Sequence, residues 1–260
     1  MVVGVLSNFF MPAESFLIVD DQPVSLGQAL QYLQASGKLG TFIGDILRQY
    51  IIEKELQTRS FDATAATEQA VIDFRLQNQL ADPKVFSEWL ARNGTDYPTF
   101  HKQLSYGYKL AMLKAQIAEP RLQEYFIERK LFLDRVVLSR LVVASPELAE
   151  ELHAQIDEGA SFEPLTKEYS LTEDRIVNGM MGPVSRGSMP DKLRAAVDSA
   201  SPGNLVGPIE LEGRYALFRV EQFLPASLED AQLKEGLQNE LFEQWLAEKI
   251  KKMTVKVQPD

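Results

Sequence analysis

The chain has 260 residues, 45% of them hydrophobic and 25% charged, a composition that suits two modest domains, each able to bury a core without staples. It holds no cysteine, which excludes disulfides, thiolate metal sites and cysteine nucleophiles. A formal net charge of −10 argues against nucleic-acid phosphate or anionic lipid as partners.

The first basic residue is Lys38, and the apolar start Val2-Val3-Gly4-Val5-Leu6 breaks at Ser7-Asn8. A secretory signal needs a basic region followed by a longer apolar run, and no window reaches the roughly 18 apolar residues of a membrane span. A cytoplasmic protein with a short tail over residues 1–15 is the expectation.

Phe16-Leu17-Ile18-Val19 reads as a strand and Asp20-Asp21 as a turn. Ser25 then stands three residues before Gln28, the spacing of a capping box that opens a helix. Ile43, Ile46, Leu47 and Tyr50 recur at helical steps, and Val71 with Phe74, Phe86 with Trp89 and Leu90, and Leu104 with Tyr108 give further apolar faces. Pro83, Pro98 and Pro120 punctuate these runs and predict several short helices, with a connecting segment from about Pro120 to Lys130.

Arg135 to Val143 is rich in β-branched residues and reads as a buried strand. Ser145-Pro146 supplies an N-cap and a first-position proline for a helix ending at Gly159. A second short helix starts at Ser161. A loop carries Asn178-Gly179, Gly182-Pro183 and Gly187, and a third helix runs from Pro190 towards Ala200. Ser201-Pro202-Gly203 turns the chain into two strands, Val206 to Leu211 and Arg214 to Phe223. The order β-α-α-α-β-β is α+β.

Helical periodicity then returns. Ser227 reads as an N-cap, Glu229 and Asp230 fall in the first turn, and Leu233, Leu237, Leu241, Trp245, Leu246 and Ile250 form one stripe. Thr254-Val255-Lys256-Val257 reads as a terminal strand. A lone amphipathic helix needs a partner face, so this one is expected to return to the N-terminal helices. Trp89 and Trp245 are expected as core aromatics.

Three stretches carry a resemblance to the parvulin family of peptidyl-prolyl isomerases. HAQIDEGASFEPLTKEYS, residues 153–170, is similar to that family's helix, Gly-Ala/Ser-Phe turn and second helix ending in serine. GMMGPVSRGSMP, residues 179–190, is similar to its Gly-rich signature and keeps Gly179, Gly182, Gly187 and Met189. Leu193 through Ser201-Pro202-Gly203 to Gly207-Pro208-Ile209 resembles its later landmarks. Residues 16–30 resemble the opening of parvulin chaperones of the SurA and PrsA kind, in which a C-terminal helix completes the helical domain. The helical half, with DFRLQN at residues 73–78 and the later pair Trp89-Leu90, most resembles a cyanobacterial group of parvulin-like proteins.

The resemblance implies an α+β parvulin-like domain, residues 134–223. It is inserted into an all-α SurA-N-like domain built from residues 16–130 and 224–258. It implies cis-trans isomerisation of X-Pro bonds and an unfolded or extended proline-containing polypeptide as partner; with no HExxH and two distant histidines, no metal or other cofactor is expected. Two family histidines are missing. Arg140 stands at the first-strand position, and Ala216, or Tyr215 with one insertion, at the last. The only histidines, His101 and His153, lie elsewhere. The candidate peptide-binding residues are Arg140, Met181, Met189, Leu193 and Tyr215, with no confident catalytic residue.

Two readings of this set stay open. The methionines form a flexible groove, or Met180 and Met181 fill a core. Arg140 anchors peptide, or it is a surface charge or ion-pair partner. The leading expectation is a peptide-binding chaperone or escort with weak or lost catalysis. The rivals are an active isomerase with a rebuilt site and a scaffold for one dedicated partner.

Overall fold

A computed structural model describes residues 15–256. The chain divides into two compact units, one formed by residues 1–120 with 238–260 and the other by residues 121–237.

The first unit opens on a hairpin, β1 (Leu17–Val19) and β2 (Gln22–Val24). Asp20 and Asp21 both take positive φ, the backbone a two-residue hairpin turn demands, and aspartate tolerates it. Helix α1 (Leu26–Ala35) follows, with the capping box in place. The Ser25 hydroxyl accepts from Gln28 N–H at 3.2 Å, and the Gln28 side chain accepts from Ser25 N–H at 3.0 Å.

Helices α2 (Leu39–Thr58), α3 (Thr64–Gln77), α4 (Pro83–Arg92) and α5 (Tyr97–Leu133) come next. Pro83 and Pro98 sit in the first turns of α4 and α5, where no N–H is needed. Pro120 lies inside α5, so the segment expected as a connector is helix. Proline costs α5 the N–H that would reach the Gln116 carbonyl. Buried Leu113, Ala118, Leu122 and Phe126 hold the rod on either side of it, so packing overrides the local breaker.

The last helix of the described chain, α9 (Ala231–Lys251), supplies Phe242 and Leu246 to a core with Ile51, Ile52 and Leu113. Its charged flank is tied to α2: Arg48 pairs with Glu243, Nη2 to Oε1 at 2.5 Å, and Lys249 with Glu55 at 3.2 Å. The C-terminal helix therefore completes the N-terminal helical set, and Trp245 packs beside that core. A second cluster, Val71, Leu80, Phe86, Leu90 and Phe100, takes Trp89 edge-on to Phe74 at 5.1 Å.

Two terminal details differ from the sequence expectation. Asp230, not Ser227, caps α9, accepting from the N–H groups of Gln232 and Leu233. Its carboxylate stands immediately before the first helical residue, whereas the Ser227 hydroxyl accepts from Glu229 N–H in the preceding turn. Thr254 to Lys256 pair with no strand among the described residues, and Val257 and residues 1–14 lie outside the described chain.

The second unit is built on β3 (Arg135–Val143). It is followed by α6 (Pro146–Asp157), α7 (Phe162–Tyr169), a 3₁₀ turn at Glu173–Val177, β4 (Met180–Ser185), α8 (Asp191–Asp198), β5 (Leu205–Leu211) and β6 (Arg214–Leu224). The sheet order is β4-β3-β6-β5, with every pairing antiparallel.

β4 is a strand where the sequence predicts a loop. Its Gly182-Pro183 disguises it, and proline is tolerated because β4 is an outer strand. Strand alternation splits the core in two. Val136, Leu138, Val142, Ala216, Phe218 and Val220 face α8, while Leu141, Val143 and Leu217 face α6 and α7.

Candidate functional site

On the α8 side of the sheet lies a cleft of about 550 Å³, lined among others by Arg140, Val142, Thr172, Pro190, Ala216 and Phe218. Its floor is set by register: Arg140 pairs with Phe218 and Val142 with Ala216 across β3 and β6. Leu211, Glu212 and Arg214 of the β5–β6 hairpin form one rim.

A chain of polar contacts leads from the cleft into the protein. Arg140 Nε donates to Asp174 Oδ2 at 2.7 Å, and the Thr172 hydroxyl donates to Asp174 Oδ1 at 2.5 Å. Thr172 and Ser170 share a hydroxyl bond of 2.9 Å. The fully buried Ser170 accepts the Val142 N–H at 3.1 Å, which returns the chain to β3. The Asp174 carbonyl in turn accepts from Gly179 N–H, and the Gly179 carbonyl from Arg140 N–H, both at 2.8 Å.

Arg140 is therefore both an ion-pair partner and a wall of the cleft. Ala216 faces the same cleft, as the ungapped match places it. Tyr215 is turned the other way: it packs on the α6/α7 cluster, because neighbouring strand residues point to opposite faces. Met189 and Leu193 belong to the buried core on the α8 side of the sheet, and neither is among the residues that line the cleft. Met181 packs partly buried against that same core, and Met180 is exposed, with its sulfur 3.9 Å from the Ser139 hydroxyl. The methionines do not gather into one open groove.

Substituting Met189 is expected to act through packing. Met189→Ala should lower stability by about 2–3 kcal/mol, the lower part of the range for emptying a core methionine, as read by chemical denaturation. An unchanged midpoint would mean that the side chain is not packed as described.

Neither histidine is among the residues that line the cleft. His101 pairs with Glu68 at 3.2 Å and His153 with Asp157 at 3.1 Å on α6. Among the described residues no group of side chains could hold a metal ion. Thr172 and Asp174 escaped the sequence reading, although hydroxyl and carboxylate two residues apart just ahead of a turn are a local hint of this pairing.

Several comparisons bear on this geometry. Residues 143–222 match the rotamase family, PPIC-type PPIASE domain. The chain is 27% identical over 188 residues to foldase protein PrsA 2 of Listeria innocua, covering 66% of this chain and 63% of that one. It is 26% identical over 113 residues to foldase protein PrsA of Geobacillus kaustophilus, covering 43% of this chain and 39% of that one. The chain thus spans less than two thirds of the length of these relatives. Among solved structures, peptidylprolyl isomerase PrsA of Bacillus cereus aligns over 95% of both chains at 17% identity and a TM-score of 0.45.

Proposed function

We propose that this chain, whose residues 143–222 are a parvulin-type domain related to the PrsA foldases, is a peptide-binding chaperone or escort that turns X-Pro bonds over weakly or not at all. Rotation about such a bond breaks nothing covalent; its barrier is near 20 kcal/mol and the uncatalysed step takes tens of seconds. A catalyst must hold the twisted imide better than the planar one. The observation that carries the proposal is the pairing of Arg140 with Asp174 at 2.7 Å, on the same cleft floor as Ala216. One polar position is already engaged inside the protein, and the other offers only a methyl group.

The cleft still suits an extended peptide. Val142, Pro190, Leu211 and Phe218 give it apolar surface, and Arg140, Thr172, Glu212 and Arg214 set polar groups beside it, a mixture that suits both the side chains and the carbonyls of a peptide. No described helix is long and apolar enough to cross a membrane.

The rival isomerase reading draws on the same Arg140. Its bond to Asp174 uses Nε, so the terminal amino groups keep donors for a carbonyl oxygen. A partner-binding scaffold is favoured by a different feature: α1 buries none of its residues, and Phe16, Ile18, Val19, Leu26 and Tyr32 are exposed.

Exchange NMR on short X-Pro peptides mixed with the full chain separates the three. Binding with a cis-trans rate within about threefold of the free peptide is the expected result. Strong acceleration that vanishes in Arg140→Ala would establish the isomerase, and absence of any peptide binding would leave the scaffold.

A further inference from the structure

Resting on the reading that the cleft holds an X-Pro peptide, we infer that Asp174 sets its charge preference. By neutralising Arg140 it makes a site for the neutral carbonyl of an uncharged segment and not for an acidic one.

An arginine lining a peptide cleft would ordinarily invite a carboxylate. Here the carboxylate is supplied from within. Asp174 is fixed at both oxygens, by Arg140 Nε at 2.7 Å and by the Thr172 hydroxyl at 2.5 Å. Thr172 is braced in turn by Ser170 and through it by the backbone of β3. Asp174 is the less exposed of the two partners, 18% against 35%, so the anion lies behind and the cation in front.

Glu212 and Arg214, also in the lining, add one formal charge of each sign. The ligand thus meets arginine N–H donors in a setting of nearly zero net charge. The chain as a whole carries −10, which repels an anionic segment from further away. A brace for the 3₁₀ turn alone would need no cleft-facing cation, and it would leave peptide ranking indifferent to the pair.

The test titrates three labelled peptides, Ala-Ala-Pro-Phe, Ala-Glu-Pro-Phe and Ala-Lys-Pro-Phe, into the full chain at low and high salt. The native chain should bind the alanine peptide at least as well as either charged one. Asp174→Asn keeps the shape and removes the anion. The glutamate peptide should then gain about tenfold over the alanine peptide, and the gain should fade at high salt.

Arg140→Gln carries the opposite sign: Asp174 is left without its partner, and the lysine peptide should gain by a similar factor. This second variant decides alone if Asp174→Asn does not fold. Unchanged rankings in the variants that fold, or a native preference for glutamate, would overturn the inference while leaving the peptide cleft standing. No binding of any peptide by the native chain would overturn the cleft reading and the inference with it.

Discussion

Asp134→Ala is expected to destabilise the unit of residues 121–237 by about 3–4 kcal/mol, toward the lower end of what breaking one partner of a buried ion pair costs. Asp134 is 6% exposed and stands immediately before β3. One carboxylate oxygen accepts from Lys130 Nζ and from the Ala226 N–H, both at 2.8 Å, and the other accepts from Arg186 at 3.2 Å. The single side chain thereby ties the strand's entry to the segment after β6 and to the turn after β4. Alanine would leave Lys130 and Arg186 without this partner and the Ala226 N–H without its acceptor. Lys130 is half-exposed and Arg186 keeps its second partner, Asp198, which places the loss in the lower part of that range. Thermal unfolding of the variant checks this, and a shift under 1 °C would show the junction to be held by packing alone.

The same site gives the effect a pH dependence. Burial pushes the Asp134 carboxyl up, but the Lys130 and Ala226 hydrogen bonds, with the charges of Lys130 and Arg186, hold it below the usual aspartate range. A depressed folded value means that its contribution is complete above the unfolded value near 4 and fades as pH falls through the folded one. The stability gap between native chain and variant should therefore be constant from about pH 6 upward and shrink below about pH 4. A gap that widened in acid would contradict the assignment.

Much of the second unit was legible because its local signals agree. The β-branched run of β3, the Ser145-Pro146 start of α6 and the Pro-Gly turn before β5 each match the pattern of one element. What escaped was decided at longer range. β4 becomes a strand only because β3 lies beside it, pairing Val137 with Pro183 and Leu138 with Gly182. α5 runs through Pro120 because buried residues on both sides hold it.

The site divides in the same way. Arg140 was legible only through the family resemblance, which sets it at the first-strand histidine position. Its partner Asp174 lies 34 positions away on a 3₁₀ turn, and no periodicity links the two. Tyr215 and Ala216 differ by one position, and one position reverses the face of a strand; only the observed register separates them.

The largest effect is expected at Gly179, the glycine that joins the polar network to the sheet. Its φ is +74, and a Cβ added there would lie 2.0 Å from the Arg140 carbonyl oxygen and 3.0 Å from the Thr166 methyl carbon. The oxygen is backbone inside β3, so no rotamer change can clear it. Gly179→Ala should therefore cost about 4 kcal/mol or more, combining the strain of a positive φ with overpacking against main chain. Relief would require β4 to move off β3 at the point where the Gly179 carbonyl accepts the Arg140 N–H. That movement would carry Asp174 with it through the Gly179 N–H bond to the Asp174 carbonyl, so peptide binding should fall along with stability. Gly182→Ala is the contrasting case. Its φ is also +74, yet nothing lies within 4 Å of the added carbon, so it should show only the backbone penalty of about 1–2 kcal/mol. Equal losses in the two variants, measured by urea denaturation, would mean that the close approach to Arg140 is not what demands a glycine at 179.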